Sequence, residues 1–239
     1  MLAYHNNSSV KSLYVNRFAA HRKADEVIQG QSFKNGRGCF VGCTLNEYSH
    51  DRFPVELGWP KWLAHLADTI FEGVPKSEAP QFGTDLLDAV EIGVDLEPLK
   101  NKFLICVQRR NLARLEGNDA PYAVQVRAAI EQAIAVLAED KFDSARSAAE
   151  SAWSVAWSAE ARSAAWSARS AAWSAADSAA ARSVTARSVA ESARAAAESA
   201  WSEAESARSA TGSAAARSAE YQLQRNDLLE LIRNCEAAA

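Results

Sequence analysis

Residues 60–73, PKWLAHLADTIFEG, decide the fold class of this 239-residue chain. Proline favours the first turn of a helix and glycine favours a helix end, so Pro60 and Gly73 mark the limits of a predicted helix. Apolar residues recur between them at helical spacing, which indicates one buried face. They are Leu63, Leu66, Ala67, Ile70 and Phe71. We expect Asp68 and Glu72, spaced i and i+4, on the solvated face and His65 at the surface or half-buried.

Upstream of this stretch, the sequence predicts one long helix over residues 10–29. Ser8 or Ser9 is expected to cap it, because a side-chain oxygen can accept a hydrogen bond from a free N–H group of the first turn. Gly30 is the expected stop. The residues expected to face inward are Leu13, Phe18, Val27 and Ile28.

Downstream, two further helices are predicted. Thr84 is expected to cap a helix over residues 84–93, and Pro98 to open one over residues 98–115. The second carries apolar residues at helical spacing, which are Leu99, Phe103 and Val107. Its segment FLICV (103–107) fits a buried strand about as well as a buried helix. Strand alternation is otherwise unconvincing, and the chain is predicted to be mainly α.

The second half of the chain has a different composition. Residues 141–220 contain 31 Ala and 19 Ser in 80 positions, and neither Gly nor Pro occurs between Pro121 and Gly212. Alanine is the best helix former, so this Ala/Ser tract is predicted to be helical. Its serine stripes shift to another helical face near 159–163 and 180–190. Two or three antiparallel helices, folded back as a bundle, explain these shifts; one unbroken helix is the alternative.

Five tryptophans interrupt the tract and are expected to supply packing or interface area that Ala and Ser lack. They are Trp153, Trp157, Trp166, Trp173 and Trp201. Conventional amphipathic helices are predicted on either side, over residues 121–140 and 226–234. Nine of the ten Gly, all six Pro and all four His lie in residues 1–121. We therefore expect a compact helical N-terminal domain over 1–118 and an Ala/Ser/Trp-rich helical region over 119–239.

Charge and cysteine usage exclude several classes of protein. The net charge is −4, with 14 basic and 15 acidic groups in residues 1–120. No basic excess indicates a nucleic-acid partner. The four cysteines do not form a disulfide framework, the N-terminal residues lack the apolar region of a signal peptide, and no apolar run is long enough to cross a membrane. We expect a cytoplasmic protein with reduced thiols and no membrane association.

The residues that could carry chemistry lie in the first 50 positions. His21 and Asp25 are one helical turn apart, Cys39 and Cys43 form a C-x3-C pair, and His50 follows. Imidazole, carboxylate and thiol are zinc ligand types, and a Cys–His pair can form a nucleophile. The C-x3-C spacing is not a standard zinc motif, however, and buried packing explains both cysteines. No metal, cofactor or catalytic residue is therefore assigned.

Four strings resemble an uncharacterised family of bacterial and phage proteins with Ala-rich tails. They are HRKADEVIQG (21–30), GRGCFVGCT (36–44), FPVELGWPKWLAHLADTIFEGVP (53–75) and IGVDLEP (92–98). The resemblance covers residues 4–105 and implies a defining cluster, without implying catalysis. Its members are His21, Arg22, Asp25, Glu26, Gln29, Gly30, Gly38, Cys39, Gly42, Cys43, Thr44 and His50. The Ser-rich tract departs from the other members.

These observations favour a non-enzymatic binding or scaffold protein. The N-terminal domain would present the polar cluster, and the tract would pack, self-assemble or capture a protein partner. A phage-encoded protein that acts on a host factor fits the resemblance. The alternative is an enzyme or metal-dependent module that uses His21, Asp25, Cys39, Cys43 and His50.

Overall fold

The computed structural model describes residues 1–117, 121–139 and 214–235. The protein is mainly α, as the sequence predicts, and a two-stranded hairpin interrupts the helices within this part of the chain. The helices are α1 (Ser8–Lys23), α2 (Phe40–Leu45), α3 (Phe53–Leu57), α4 (Lys61–Gly73), α5 (Ala79–Ala89), α6 (Leu99–Arg114), α7 (Pro121–Ala138) and α8 (Ala214–Arg233). Strands β1 (Phe33–Lys34) and β2 (Arg37–Gly38) pair antiparallel, with Phe33 opposite Gly38. The five tract tryptophans lie outside the described residues.

The chain divides into two compact units. The first unit comprises Met1–Lys100 and Ala214–Ala239, and the second comprises Asn101–Ser213. The domain limit at residue 118 stays a prediction from composition. By spatial contact, the N-terminal residues instead form one unit with the C-terminal segment.

Helix α4 lies at the centre of the first unit. It contacts α2, α3, α5 and α8, while α1 packs against α2, α3 and α5. Large side chains fill the space between these helices with almost no exposure to solvent. They include Tyr4, Phe18, Phe40, Phe53, Trp59, Phe71 and Phe82. Each buried aromatic side chain contributes area that the short helices lack on their own.

Helix α1 begins and ends at other residues than predicted. Asn7, and not Ser8 or Ser9, is its N-cap, because the Asn7 side chain accepts a hydrogen bond from the N–H of Ser9 at 2.9 Å. The helix ends at Lys23, since Asp25 adopts a left-handed backbone with φ +57°. The chain then runs alongside β2, where the N–H of Gly38 donates to the carbonyl of Glu26 at 3.0 Å.

The inward face of α1 also differs from the prediction. Phe18 is buried as expected, but Leu13 is 51% exposed, and Tyr14 takes the inward position. Val27 is buried, although it lies in the loop after the helix. The 10–29 helix was therefore wrong in length, because contacts made far along the chain end it.

Of the remaining helix predictions, two are confirmed and one is wrong about where the helix begins. The helices predicted at 60–73 and 98–115 are confirmed as α4 and α6, and residues 103–107 are helical. The cap at Thr84 is wrong, because α5 begins at Ala79 and Thr84 lies inside it. There the Thr84 hydroxyl donates to the carbonyl of Pro80 at 3.2 Å.

Helix α8 returns to the first unit and packs on α4 and α5. Its residues Leu228 and Ile232 are 0% and 1% exposed. The Tyr221 ring lies directly against the backbone of Gly73, where a Cβ atom would come within 2.1 Å of the ring. The Glu78 carboxylate also holds the helix by accepting hydrogen bonds from Gln222 and Arg225, each at 2.8 Å.

The second unit has a small apolar core of its own. Leu115, Val126 and Ile130 are buried together, and Leu112 and Ile134 pack against them. The Arg127 guanidinium donates to the carbonyl of Leu115 at 2.8 Å. The amphipathic helix predicted over residues 121–140 is thus confirmed, with Val126 and Ile130 on its buried face.

A hydrogen-bonded group connects α1 to α3. The Glu56 carboxylate accepts hydrogen bonds from the Tyr14 hydroxyl and the Arg52 guanidinium. These two donors hold the pKa of Glu56 below its usual value. Burial and the bond to Glu56 raise the pKa of Tyr14 to about 12. The ionised form of Glu56 therefore stabilises the contact between the two helices.

We expect Gly73→Ala to lower the free energy of unfolding by about 1–3 kcal/mol, because the added methyl group displaces the Tyr221 ring. Urea denaturation measures the change. In a Tyr221→Ala background, the same substitution should cost much less, since the obstructing ring is gone. An equal cost in both backgrounds would contradict the packing of α8 on α4.

We expect Glu56→Gln to lower stability at pH 7 by about 1–2 kcal/mol, because a neutral amide accepts weaker hydrogen bonds. The pKa of Glu56 is lower in the folded state. Its contribution is therefore complete above the unfolded-state pKa and is lost as pH falls through the folded-state pKa.

Denaturation curves between neutral and acid pH should show the wild type and this variant converging. Glu47→Gln is the matched control, since it removes only an exposed contact with Arg52 and should change stability little. A stability difference that stays constant across this pH range would refute the role of Glu56.

Candidate functional site

A buried carboxylate marks the most unusual polar site of the first unit. Asp68, on α4, is 9% exposed. Its Oδ2 accepts hydrogen bonds from the Tyr48 hydroxyl and from His50 Nε2, each at 3.1 Å. Its Oδ1 is buried and has no hydrogen-bond partner. A buried carboxylate is costly unless it is fully paired, so Oδ1 needs an explanation.

Two further acidic groups complete this site. Cys39, the N-cap of α2, is 1% exposed, and its thiol donates to the carbonyl of Ser32 at 3.4 Å. Glu72 lies one turn after Asp68 at the exposed rim, where it accepts a hydrogen bond from the N–H of Gly30 at 2.8 Å. One donor atom each from Cys39, Asp68 and Glu72 lies within 4.8 Å of the other two.

We call Cys39, Tyr48, His50, Asp68 and Glu72 the Asp68 cluster. Burial, and then the Asp68 charge, raise the pKa of the Cys39 thiol well above its usual range. The same two causes raise the pKa of Tyr48. Partial burial raises the pKa of Glu72, against the opposing effect of the Gly30 N–H. Burial and the Asp68 charge therefore favour the protonated forms of Cys39 and Tyr48.

A second polar group lies around His21. Its Nδ1 donates to Glu26 Oε2 at 2.7 Å, and its Nε2 lies 2.6 Å from Asn46 Oδ1. The Cys43 thiol is near this group, 3.3 Å from the carbonyl of Gly38 and 3.6 Å from that of Glu26. Burial raises the pKa of Cys43 to about 11. This thiol is protonated at neutral pH and is a poor nucleophile.

The structure thus separates the five residues of the enzyme or metal alternative. Cys39 and His50 belong to the Asp68 cluster, whereas His21 and Cys43 belong to the second group. Asp25 is exposed, and its backbone carbonyl accepts a hydrogen bond from Arg37 at 3.2 Å. Carboxylates pair with both His21 and His50.

The other predicted site residues hold the backbone together. Arg22 connects α1 to α5 by donating to Gln81 at 2.7 Å and to Thr84 at 3.0 Å. The Thr44 hydroxyl donates to the carbonyl of Phe40 at 2.7 Å inside α2.

Gln29 caps the end of α4. Its side-chain amide donates to the carbonyl of Phe71 at 2.5 Å and to that of Val74 at 2.9 Å. These carbonyls have no helical partner at the end of α4, so Gln29 replaces one.

Sequence reasoning missed Asp68, Glu72, Tyr48 and Asn46 as site residues. The expectation of a solvated face is wrong for Asp68, because loops on either side of α2 cover it. A signal was present in the spacing i, i+3 and i+7 of His65, Asp68 and Glu72, which puts three polar residues on one stripe of a largely apolar helix. His65 stacks on His50 at a ring distance of 3.9 Å.

Comparison of the chain with protein-family models, with curated proteins and with solved structures finds no match among them. The resemblance to bacterial and phage proteins therefore stays a prediction. Within the described residues, no helix combines the length and apolar character needed to cross a membrane.

We expect Gln29→Ala to lower the free energy of unfolding by about 1–2 kcal/mol, because two carbonyl groups at the end of α4 lose their donor. Urea denaturation followed by circular dichroism measures this. Gln81→Ala is the matched control, since it removes only exposed hydrogen bonds, with Arg22 and Asp85, and should have a smaller effect. Unchanged stability in Gln29→Ala would show that Gln29 is not a structural cap.

Proposed function

We propose that this protein is a non-enzymatic binding or scaffold protein. Its first unit serves as a structural platform, and the Ala/Ser tract forms the surface for self-association or for a protein partner. The chain leaves the first unit after Lys100 and returns to it at Ala214. This return is the observation that carries the proposal, because it anchors both ends of the intervening segment in one folded unit.

The contacts of α8 support its proposed role as the anchor at the C-terminal end of the tract. Tyr221 packs on Gly73, and Glu78 holds Gln222 and Arg225. A segment fixed at both ends loses less conformational entropy on binding than a free tail does. The first unit thereby restrains the tract before a partner binds, and binding of this kind needs no catalytic group.

The chemistry of the two thiols also favours a binding role. Cys39 and Cys43 are buried, and burial raises the pKa of both. Neither forms the thiolate that a nucleophile requires at neutral pH. The free thiols fit the cytoplasmic location that we propose.

The five tract tryptophans are the residues we assign to the interface. Tryptophan is enriched among residues that dominate binding energy, and each buries roughly 150–250 Å². Alanine and serine between them allow close approach of two backbones but bury little area. A phage-encoded protein would fit the resemblance, and the partner we propose in that case is a host protein.

We expect the full-length protein to form a defined oligomer in multi-angle light scattering. Replacing Trp153, Trp157, Trp166, Trp173 and Trp201 by Ala should convert it to a monomer, because the interface loses its largest apolar side chains. The remaining tryptophans, Trp59 and Trp62, are 0% and 8% exposed. Their fluorescence should stay that of buried indole, which separates loss of assembly from unfolding.

Trp59→Ala is the matched control, and it should destabilise the first unit by about 3–5 kcal/mol because it empties the core. A wild-type protein that is monomeric at all concentrations would refute self-association. Unchanged assembly of the five-tryptophan variant would refute the interface.

A further inference from the structure

We infer that Cys39, Asp68 and Glu72 form a binding site for a divalent transition-metal ion of the zinc class. The three side chains come from the N-terminus of α2 and from two successive turns of α4. One donor atom from each lies within 4.8 Å of the other two. Thiolate and carboxylate are both ligands of zinc, and three protein ligands leave a fourth position for water. This site goes beyond the proposed scaffold function and does not depend on it.

The unpaired oxygen of Asp68 is the independent observation that points to a ligand. Asp68 is 9% exposed, and its Oδ1 is buried without a partner. An unsatisfied buried acceptor costs about 1–3 kcal/mol, and more when it is charged. A bound cation removes that cost by coordinating Oδ1.

The surrounding hydrogen bonds fit the outer shell of a metal site. Tyr48 and His50 both donate to Asp68 Oδ2. They fix the orientation of the carboxylate and leave Oδ1 without a hydrogen bond. The N–H of Gly30 fixes Glu72 in the same way. Such partners orient the ligands of natural metal sites and hold their geometry. His65, stacked on His50, restrains the imidazole further.

The ligand types select the ion. Magnesium and calcium require sets of oxygen ligands, whereas a thiolate among two carboxylates favours zinc or cobalt. Zinc–sulfur and zinc–oxygen bonds of about 2.3 Å and 2.1 Å place tetrahedral ligands about 3.5 Å apart. On binding, the Cys39 S–H bond breaks, a sulfur–metal bond forms, and the proton goes to solvent.

The experiment uses full-length protein, first freed of metal by a chelator and then titrated with Zn²⁺ or Co²⁺. We expect one ion per chain, release of the thiol proton, and a thiolate-to-cobalt charge-transfer band in the absorption spectrum. The melting temperature should rise with metal concentration. Cys39→Ser should abolish the band, and Asp68→Asn and Glu72→Gln should each weaken binding at least about 10-fold. His50→Ala should weaken it about 10- to 100-fold.

Cys43→Ser is the matched control, because Cys43 is as buried as Cys39 and lies four residues further along, inside α2, but outside the cluster. It should keep both the band and the affinity. Glu72→Gln keeps the test informative if Cys39→Ser does not fold, since Glu72 lies at the exposed rim. Absence of a charge-transfer band in the wild type would overturn the inference. So would metal affinity that is unchanged in Cys39→Ser and Glu72→Gln, or lost in Cys43→Ser.

Discussion

The burial of α4 is the constraint on which the first unit depends. Eight of its 13 residues are buried, so it needs neighbours on nearly every side. Helices α2, α3 and α5 cover part of it, and α8 covers the side that contains Gly73. Because the short N-terminal helices cannot enclose it alone, the C-terminal helix has to return. The same requirement therefore fixes both the core and the path of the chain.

Covering α4 also creates the Asp68 cluster. The loop residue Ser32 packs directly against β2 and α2. A Cβ atom at Gly38 would come within 2.3 Å of the Ser32 carbonyl, and one at Gly42 within 2.1 Å. This close approach brings Gly30 to Glu72 and places Cys39 near α4. The site thus needs no loop of its own, because it arises where three segments meet over one helix.

The parts of the fold that could be predicted are those with a local cause. Helices α4 and α6 have enough turns to show an apolar period and a proline at the start. Helices α2 and α3 have six and five residues, too few to show any period. The early end of α1 was unpredictable for another reason. His21 pairs with Glu26 rather than with Asp25, because the chain turns at Asp25 and then pairs with Gly38.

For the same reason, only part of the candidate site could be predicted from the sequence. Cys39 and His50 stood out as residue types, but their partner Asp68 lies on a helix 18 residues beyond His50 and reads as a surface position. Many residues of the family resemblance hold the backbone, as Arg22 and Gln29 do. The fold does not need a carboxylate at position 68 to hold the backbone in this way. An apolar residue of similar volume would fill the same space without burying a charge, often at no loss of stability. A buried carboxylate with one oxygen left unpaired is therefore better explained by what it binds than by what it stabilises.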